Sequence, residues 1–317
     1  MLRRMLVLFV LVGLVACGTN DKAATNSENL TLKLNVQPNQ TYRYKSTQVQ
    51  TMTQTMFMTE QTQATTTTMT MEQSVVSVSP EGETVIRIVI DSLQVDMQTQ
   101  DQALSYDSTD PTANTDSPEF AQFAGLTSQP MTLTLSPEAK VTKIDGIDQM
   151  LDKMLVGSEE NEQTLMMRDM LTKTFEQSYA KATIIPFGGK PMAIGDSWQD
   201  VTDMNLQIFS MVLTNTYSLK ERNAGLATFD LTGQFEIGEF NFPGLMERDD
   251  MKLAIEKGEG ENSQRGTVVI DEATGMLKSN VLDQTMSMVI KIEGEDLGQS
   301  LTMPMSQTLH MEVQLQP

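Results

Sequence analysis

TVIRIVIDSLQVDMQT (Thr84–Thr99) is the stretch that decides the fold. Ile86, Ile88 and Ile90 share one face of an extended chain, yet Leu93, Val95 and Met97 carry the opposite parity. Side chains of a strand alternate between its faces, so a parity switch without a break implies one extra residue. The spacing therefore predicts a bulge or bend near Asp91-Ser92. The run before it, Thr65 to Ser79, behaves alike: Met69, Met71 and Val75 give way to Val76 and Val78. Ser79-Pro80-Glu81-Gly82-Glu83 supplies the turn between the two runs. Long strands with parity switches suit a strongly curved sheet better than a flat one.

Upstream, Thr41 to Thr59 is dense in threonine, glutamine and methionine, with Tyr42 and Tyr44 and neither proline nor glycine. That is strand chemistry over a length well above the usual five or six or so residues. Downstream, Met131 to Leu135 and Val141 to Ile144 flank Ser136-Pro137-Glu138-Ala139-Lys140 and predict a hairpin. The period then changes. Ile147, Met150, Leu151, Met154 and Leu155 fall on one helical face. So do Met167, Met170, Leu171, Phe175 and Tyr179 after the break at Gly157-Ser158, and Pro186-Phe187-Gly188-Gly189 ends the pair. Two such helices normally bury their stripes against a sheet.

The second half returns to period two. Ala227, Phe229, Leu231, Phe235 and Ile237 alternate, as do Leu282, Met286, Met288, Ile290 and Ile292. Leu301, Met303, Met305, Leu309, Met311, Val313 and Leu315 all share one parity, and Pro304 on the opposite parity points to an edge strand or a bulge. A second hairpin, Thr267 to Asn280, turns at Asp271-Glu272-Ala273-Thr274-Gly275. One hairpin of this kind in each half, with helices between, allows an internal duplication into two β halves. The expected fold class is mainly β (α+β): a long curved antiparallel sheet, half-barrel-like, with an inserted amphipathic helical pair near 146–181.

The amino-terminal segment has a different logic. Arg3 and Arg4 precede an apolar run, Met5 to Val12, too short to span a bilayer, and small residues follow up to Leu14-Val15-Ala16-Cys17. This order resembles the lipobox of bacterial lipoproteins. The resemblance implies acylation of Cys17, the only cysteine, and cleavage of the signal between Ala16 and Cys17. Several acyl chains, each buried methylene contributing about 0.8 kcal/mol, make such attachment effectively permanent. Gly18 stands where an aspartate would imply inner-membrane retention, so the expected address is the outer membrane, on either face. The domain plan is then 1–16 signal peptide, 17–29 polar tether and 30–317 β-rich domain.

Loss of the signal removes two arginines and no acid, moving the formal charge from -20 to -22. A surface this acidic argues against nucleic acid and against anionic lipid as electrostatic partners. With Cys17 acylated, no disulfide, thiol chemistry or cysteine-based metal site remains, and a lone His310 cannot assemble a histidine-based metal centre. No cofactor is expected.

Pro191-Met192-Ala193-Ile194-Gly195-Asp196-Ser197-Trp198 holds the only tryptophan. With the threonine-rich opening strand and the two hairpins, this segment resembles a family of bacterial lipoproteins of unknown function. The resemblance implies architecture and export without an activity. Long curved antiparallel sheets crossed by helices also look like the half-barrels of periplasmic lipoprotein carriers, which hold acyl chains between sheet and helices; that analogy concerns fold alone. Gly195-Asp196-Ser197 shares letters with one class of esterases, but the residue three before His310 is Gln307 rather than aspartate. A turn in which Asp196 or Ser197 caps backbone and Trp198 enters the core accounts for the segment. Ser178-Tyr179-Ala180-Lys181 fits a Ser-x-x-Lys spacing without its companion motifs. No catalytic residue is assigned, and the chain is expected not to be an enzyme.

Two acidic groups remain, Asp101, Asp107, Asp110, Asp116 and Glu119 between Gln100 and Gln129, and Glu236, Glu239, Glu247, Asp249 and Asp250. Neither matches an EF-hand or a glycosidase pair; solvated loops, or weak calcium binding at the first, are the alternatives. Methionine is the unusual component, with 25 in the chain. Met56 and Met58, Met69 and Met71, Met286 and Met288, and Met303 and Met305 each place two thioethers on one strand face. Plain core packing, an adaptable lining for an apolar ligand, and copper(I) coordination compete to explain them. The functional expectation is a membrane-anchored, non-enzymatic envelope lipoprotein binding an apolar ligand or lipid between sheet and helices. The alternative is a structural or protein-interaction lipoprotein.

Overall fold

Thr84–Gln98 forms strand β3, and its parity switch is a bulge. Met71 faces Ile90 and Thr70 faces Ser92, which leaves Asp91 as the extra residue. Ile86, Ile88 and Ile90 before it, and Leu93, Val95 and Met97 after it, are all buried. A second shift between Val75 and Ser77 pushes Val76 outward to 52% exposure. Residues 29–56, 59–110, 123, 125–127, 129–155, 164–165, 168–169, 171–172, 183–205, 209–240, 251–258, 260–294 and 301–317 are described by the structure, a computed structural model.

The named elements follow as β1 (Thr41–Met56), β2 (Thr59–Val78), β3, β4 (Ala103–Asp107), β5 (Met131–Leu135), β6 (Val141–Asp145) and α1 (Ile147–Met154). Then come β7 (Ser197–Asn205), β8 (Phe209–Asn223), β9 (Leu226–Phe240), β10 (Met251–Lys257), β11 (Ser263–Asp271), β12 (Leu277–Gly294) and β13 (Leu301–Leu315). They build one antiparallel sheet in the order β6-β5-β3-β2-β1-β13-β12-β11-β9-β8-β7, with β4 beside β3 and β10 beside β12. The sheet is not closed into a barrel: β6 and β7 end the order. It nevertheless curls. Ile86 and Leu135 line the same small gap as Ile270 and Leu277, although β2, β1 and β13 lie between the two pairs in the sheet.

Curvature gives the sheet an apolar inside and a polar outside. On β1, Tyr44, Ser46, Gln48, Gln50, Met52 and Gln54 are buried, whereas Arg43, Lys45 and Val49 are exposed. On β13 the outward residues Thr302, Pro304, Ser306, Thr308, His310 and Glu312 are exposed. An outer wall of this composition does not suit contact with hydrocarbon, which wants an apolar band. Among the described residues no helix is long and apolar enough to cross a membrane.

Two extended segments fill the inside. Leu30, Leu32 and Val36 from one, and Ile184, Ile185 and Phe187 from the other, are all buried. Backbone bonds fix them at one end of the sheet: Leu30 pairs with Met192, Leu34 N–H donates to the Pro137 carbonyl, Asn35 N–H to Thr274, and Phe187 N–H to Glu138. The β5-β6 and β11-β12 turns are thus tied together by the strap 30–36. Gly275 shows why that turn ends as it does, since its φ is 72° and a Cβ there would strike the Lys33 carbonyl oxygen. Gly275→Ala is expected to cost about 2 kcal/mol or more in urea unfolding, from strain plus displacement of the strap. Gly195→Ala, at φ 96° with open space around it, should cost only about 1 kcal/mol, the backbone term alone. Equal losses would mean that the strap does not press on the turn.

Asp271 organises the same turn. Its Oδ1 accepts Ala273 N–H at 3.1 Å, Thr274 N–H at 3.0 Å and the Thr274 hydroxyl at 3.1 Å, and Lys278 lies 3.2 Å from Oδ2. Burial raises the carboxyl pKa, but the bonds from Thr274 and Lys278 outweigh it and hold the group below the ordinary carboxylate value. A depressed folded-state pKa contributes stability above the unfolded value, near about 4, and loses it as pH falls through the lower folded value. Urea midpoints between neutral pH and pH 3 should therefore decline less steeply for Asp271→Asn than for the parent. An unchanged acid limb would show that Asp271 is not coupled to folding.

The expected helical pair is not supported. α1 is the one named helix among the described residues, eight residues long, burying Ile147, Met150 and Leu151. Of the second stripe, Leu171 is described and buried; Met167, Met170, Phe175 and Tyr179 lie outside the described residues. The run between Gln100 and Gln129 was expected as a loop and contains β4, which pairs Leu104 with Met97 and Tyr106 with Val95. Pro304 does not mark an edge strand, because β13 lies between β1 and β12. Pairing with β1 reaches Met305, the residue after the proline, and goes no further, so Pro304 sits where β13 has a single neighbour.

Candidate functional site

Glutamine, asparagine and threonine on the inner face distinguish this sheet from an ordinary apolar interior. Cross-strand register aligns Asp200, Asn215, Gly233, Gln264, Gln284, Leu309, Gln50, Thr65 and Met97 in one row from β7 to β3. Asn215, Gln264, Gln284, Gln50 and Thr65 are each at most 6% exposed. The Gln264 amide donates to Asn215 Oδ1 across the position of Gly233. Gly233 is required there, for a Cβ would strike both of those side chains. Gln264 Oε1 and Gln284 Oε1 meet no protein hydrogen-bond partner, and neither do Gln48 Nε2 and Thr67 Oγ1 in the adjoining row. A buried polar group left unpartnered costs about 1–3 kcal/mol, so a fold that aligns several in one belt requires an explanation.

The belt separates two apolar regions. On one side lies the main core, which takes in Tyr44, Met69, Met71, Leu282, Met311 and the two filling segments. On the other lies a smaller lobe of Met211, Leu213, Phe235, Met286 and Met288, with Ile237 and Met305 packed against it. Register explains the lobe: Leu213, Phe235 and Met286 stand one inward step beyond the belt, Met211, Ile237, Met288 and Met305 two steps. The methionine pairs are therefore not one population. Met69 and Met71 are main-core packing, whereas Met286, Met288 and Met305 gather in the lobe. Met303 pairs beside Ile290 further out, and the side chains of Met56 and Met58 lie outside the described residues.

The gap between sheet and filling segments is closed by the chain itself. What remains near Leu34, Thr183, Ile184 and Met276 is a cavity of about 10 Å³. That is barely the space of one water. Gln73 closes the region further by donating to the Thr183 hydroxyl. That cavity has no room for an acyl chain, and the belt and lobe are the candidate site.

The residues singled out by motif separate. Asp196 caps its own turn, Oδ2 accepting Ala193 N–H at 2.8 Å, and Gly195 takes a φ of 96°. Ser197 opens β7 and is exposed. Trp198 packs inward, stacking on Tyr217 at 4.8 Å, meeting Phe229 edge-on at 5.0 Å, and donating Nε1–H to the Pro186 carbonyl at 3.0 Å. Burial pushes the Tyr217 hydroxyl pKa upward, with nearby Asp200 adding to the shift, so it stays protonated. His310 lies on the outer face of β13, 3.1 Å from Asp283, with β12, β11, β9 and β8 between β13 and β7. Ser197 and His310 are not brought together. Ala16, Cys17, Ser178 and Lys181 lie outside the described residues.

Among the described residues no group of three or more histidine, cysteine or acidic side chains could hold a metal ion. Asp107 caps the end of β4, bonded by Gln94 and by Thr109, and these bonds lower its pKa. Asp101 and Asp110 are exposed; Asp116 and Glu119 lie outside the described residues, as do Glu247, Asp249, Asp250 and the side chain of Glu239, while Glu236 is exposed on β9. The carboxamide belt was missed in the sequence because glutamine and threonine read as solvent-facing. The available signal was parity: Gln48 and Gln50 share it with Tyr44 and Met52.

Comparison with known proteins adds a family and little else. A profile described as a family of unknown function (DUF6263) matches residues 81–277. No curated protein matches the chain. A solved structure of lipid–protein interactions in lipovitellin is similar at a TM-score of 0.44 with 8% identity, over 89% of this chain and 26% of that one. The chain thus spans about a quarter of that protein's length. DynF from the dynemicin biosynthesis pathway of Micromonospora chersina gives 0.20 with 8% identity, over 94% and 93% of the two chains. OpdQ of Pseudomonas aeruginosa gives 0.23 with 6% identity, over 87% and 99%. At these scores none bears on what the chain does.

Proposed function

The chain belongs to the family of unknown function DUF6263, and from that premise we propose a non-enzymatic, membrane-tethered envelope lipoprotein that binds an apolar ligand or lipid on the concave face of its sheet. The observation that carries the proposal is the belt of buried, partly unpartnered carboxamides bordering a methionine-lined lobe. A purely structural core would exchange such groups for apolar ones at little cost, whereas a site that orients an amphiphile needs polar groups at the edge of an apolar pocket. The thioethers of Met211, Met286, Met288 and Met305 fill the lobe themselves. They are unbranched and flexible, so a chain enters by displacing them rather than by occupying a standing cavity.

Anchoring is proposed through Cys17, with cleavage after Ala16 and residues up to 29 as tether to the outer membrane. Metabolic labelling with a fatty-acid analogue is expected to mark the parent and not Cys17→Ser, and the variant should leave the membrane fraction. Labelling of Cys17→Ser would overturn the anchor. For the site, native mass spectrometry of protein purified from its own envelope is expected to show one non-covalent apolar adduct beyond the covalent lipid. Absence of an adduct, together with no binding of an uncharged solvatochromic dye, would overturn the ligand-binding function.

A further inference from the structure

We propose that the belt and lobe select an uncharged, hydroxyl-bearing amphiphile with one short apolar chain, of the monoacylglycerol class, over anionic lipids and free fatty acids. This rests on the ligand-binding function above and names its headgroup. Each carboxamide offers both a donor and an acceptor, and a hydroxyl does the same, so the two match whichever way an amide is turned. The unpartnered acceptors Gln264 Oε1 and Gln284 Oε1 sit on neighbouring strands in direct register, both on chains at most 5% exposed. Two adjacent acceptors call for two donors on the ligand, which a glycerol diol carries.

An anionic head fails on the same atoms. Phosphate diesters and carboxylates bring acceptors only, leave both oxygens unsatisfied, and bury a charge that no cation of the row neutralises. The one charged member of the row is Asp200, beside Asn215, and it repels an anion. The net charge of -20 repels it further.

The tail follows from the lobe's depth. The buried lobe runs two inward rows beyond the belt, to Met211, Met288 and Met305, or about 14 Å from Gln284 to Met288 at strand spacing, before the half-buried pair Ile290 and Met303. That is depth for one short chain lying along the strands, with its head at Gln264 and Gln284. The arrangement differs from a core site for two or three long acyl chains.

The test is titration of the purified full-length protein with monodecanoylglycerol, decanoate and methyl decyl phosphate, below their critical micelle concentrations, at pH 8. An uncharged solvatochromic dye is titrated in parallel. The glycerol ester is expected to bind roughly tenfold tighter than either anion of equal chain length, the factor one or two net hydrogen bonds supply. In Gln284→Met, with the native state verified by Trp198 fluorescence, the ratio should fall toward unity. Dye binding with equal or greater affinity for the anions in the parent protein overturns the headgroup assignment while leaving ligand binding intact. A parent preference that survives undiminished in Gln284→Met overturns the role of the belt. Binding of neither dye nor any amphiphile overturns the function itself, and the headgroup with it.

Discussion

Glu272→Leu is expected to lower the free energy of unfolding by about 3 kcal/mol, among the largest losses of any single substitution in this chain. Arg222 on β8 meets Glu272 in the β11-β12 turn through two parallel bonds, Nε to Oε1 and Nη2 to Oε2, both 2.7 Å. The side chains are 10% and 16% exposed, so solvent screens the pair little, and removing the carboxylate leaves a guanidinium in a low-dielectric site. Residual exposure places the loss at the lower end of the range for buried pairs. The Glu272 backbone N–H also donates to the Gly225 carbonyl at 2.9 Å, so the pair locks two turns from different hairpins. The double variant Arg222→Met/Glu272→Leu should recover most of the loss, because it removes both charges. Urea unfolding of the two singles and the double would measure this; additivity would refute a coupled pair.

Gln284→Met is expected to do the opposite and stabilise the protein by about 1–2 kcal/mol, since a buried oxygen without a protein partner is replaced by an apolar group of similar shape. Gln264→Met should instead destabilise by about 1–3 kcal/mol, because Asn215 Oδ1 loses the amide that bonds to it. Two glutamines one strand apart, equally buried and identical in type, thus differ in sign. Thermal and urea unfolding decide it. A loss of stability in Gln284→Met would show that its oxygen is satisfied in the native state and would remove the main reason to regard the belt as a site. A gain accompanied by weaker amphiphile binding is the trade expected of a binding residue.

How much of this was legible in the residues depends on whether pattern or context decided them. The bulge at Asp91 was readable because three isoleucines and then Leu93, Val95 and Met97 hold opposite parities, and only an inserted residue reconciles them. Both Ser136 to Lys140 and Asp271 to Gly275 were readable as turns from their caps. β8 was not, because its inward face runs Leu213, Asn215, Tyr217, Leu219, where a polar residue interrupts the apolar alternation. The two-residue turn after it, Ala224-Gly225 with both φ values positive, lacks the usual asparagine and glycine pairing. The filling by Ile184, Ile185 and Phe187 was unreadable, since an extended segment with no ladder partner has no periodicity to detect.

The first and last named strands lie side by side in the middle of the sheet, with Tyr44 opposite Leu315 and Gln54 opposite Met305. Assembly of the scaffold is therefore not vectorial. A nascent chain that has produced everything up to β12 still holds two separate half-sheets, one edged by β1 and the other by β12, each presenting a long unpaired edge. Only β13 joins them. Closure over that sequence distance is slow, and until it occurs both edges are open to other chains. The protein thus depends, more than a sheet built of successive hairpins would, on being kept apart from its own copies until its last fifteen-residue strand is in place.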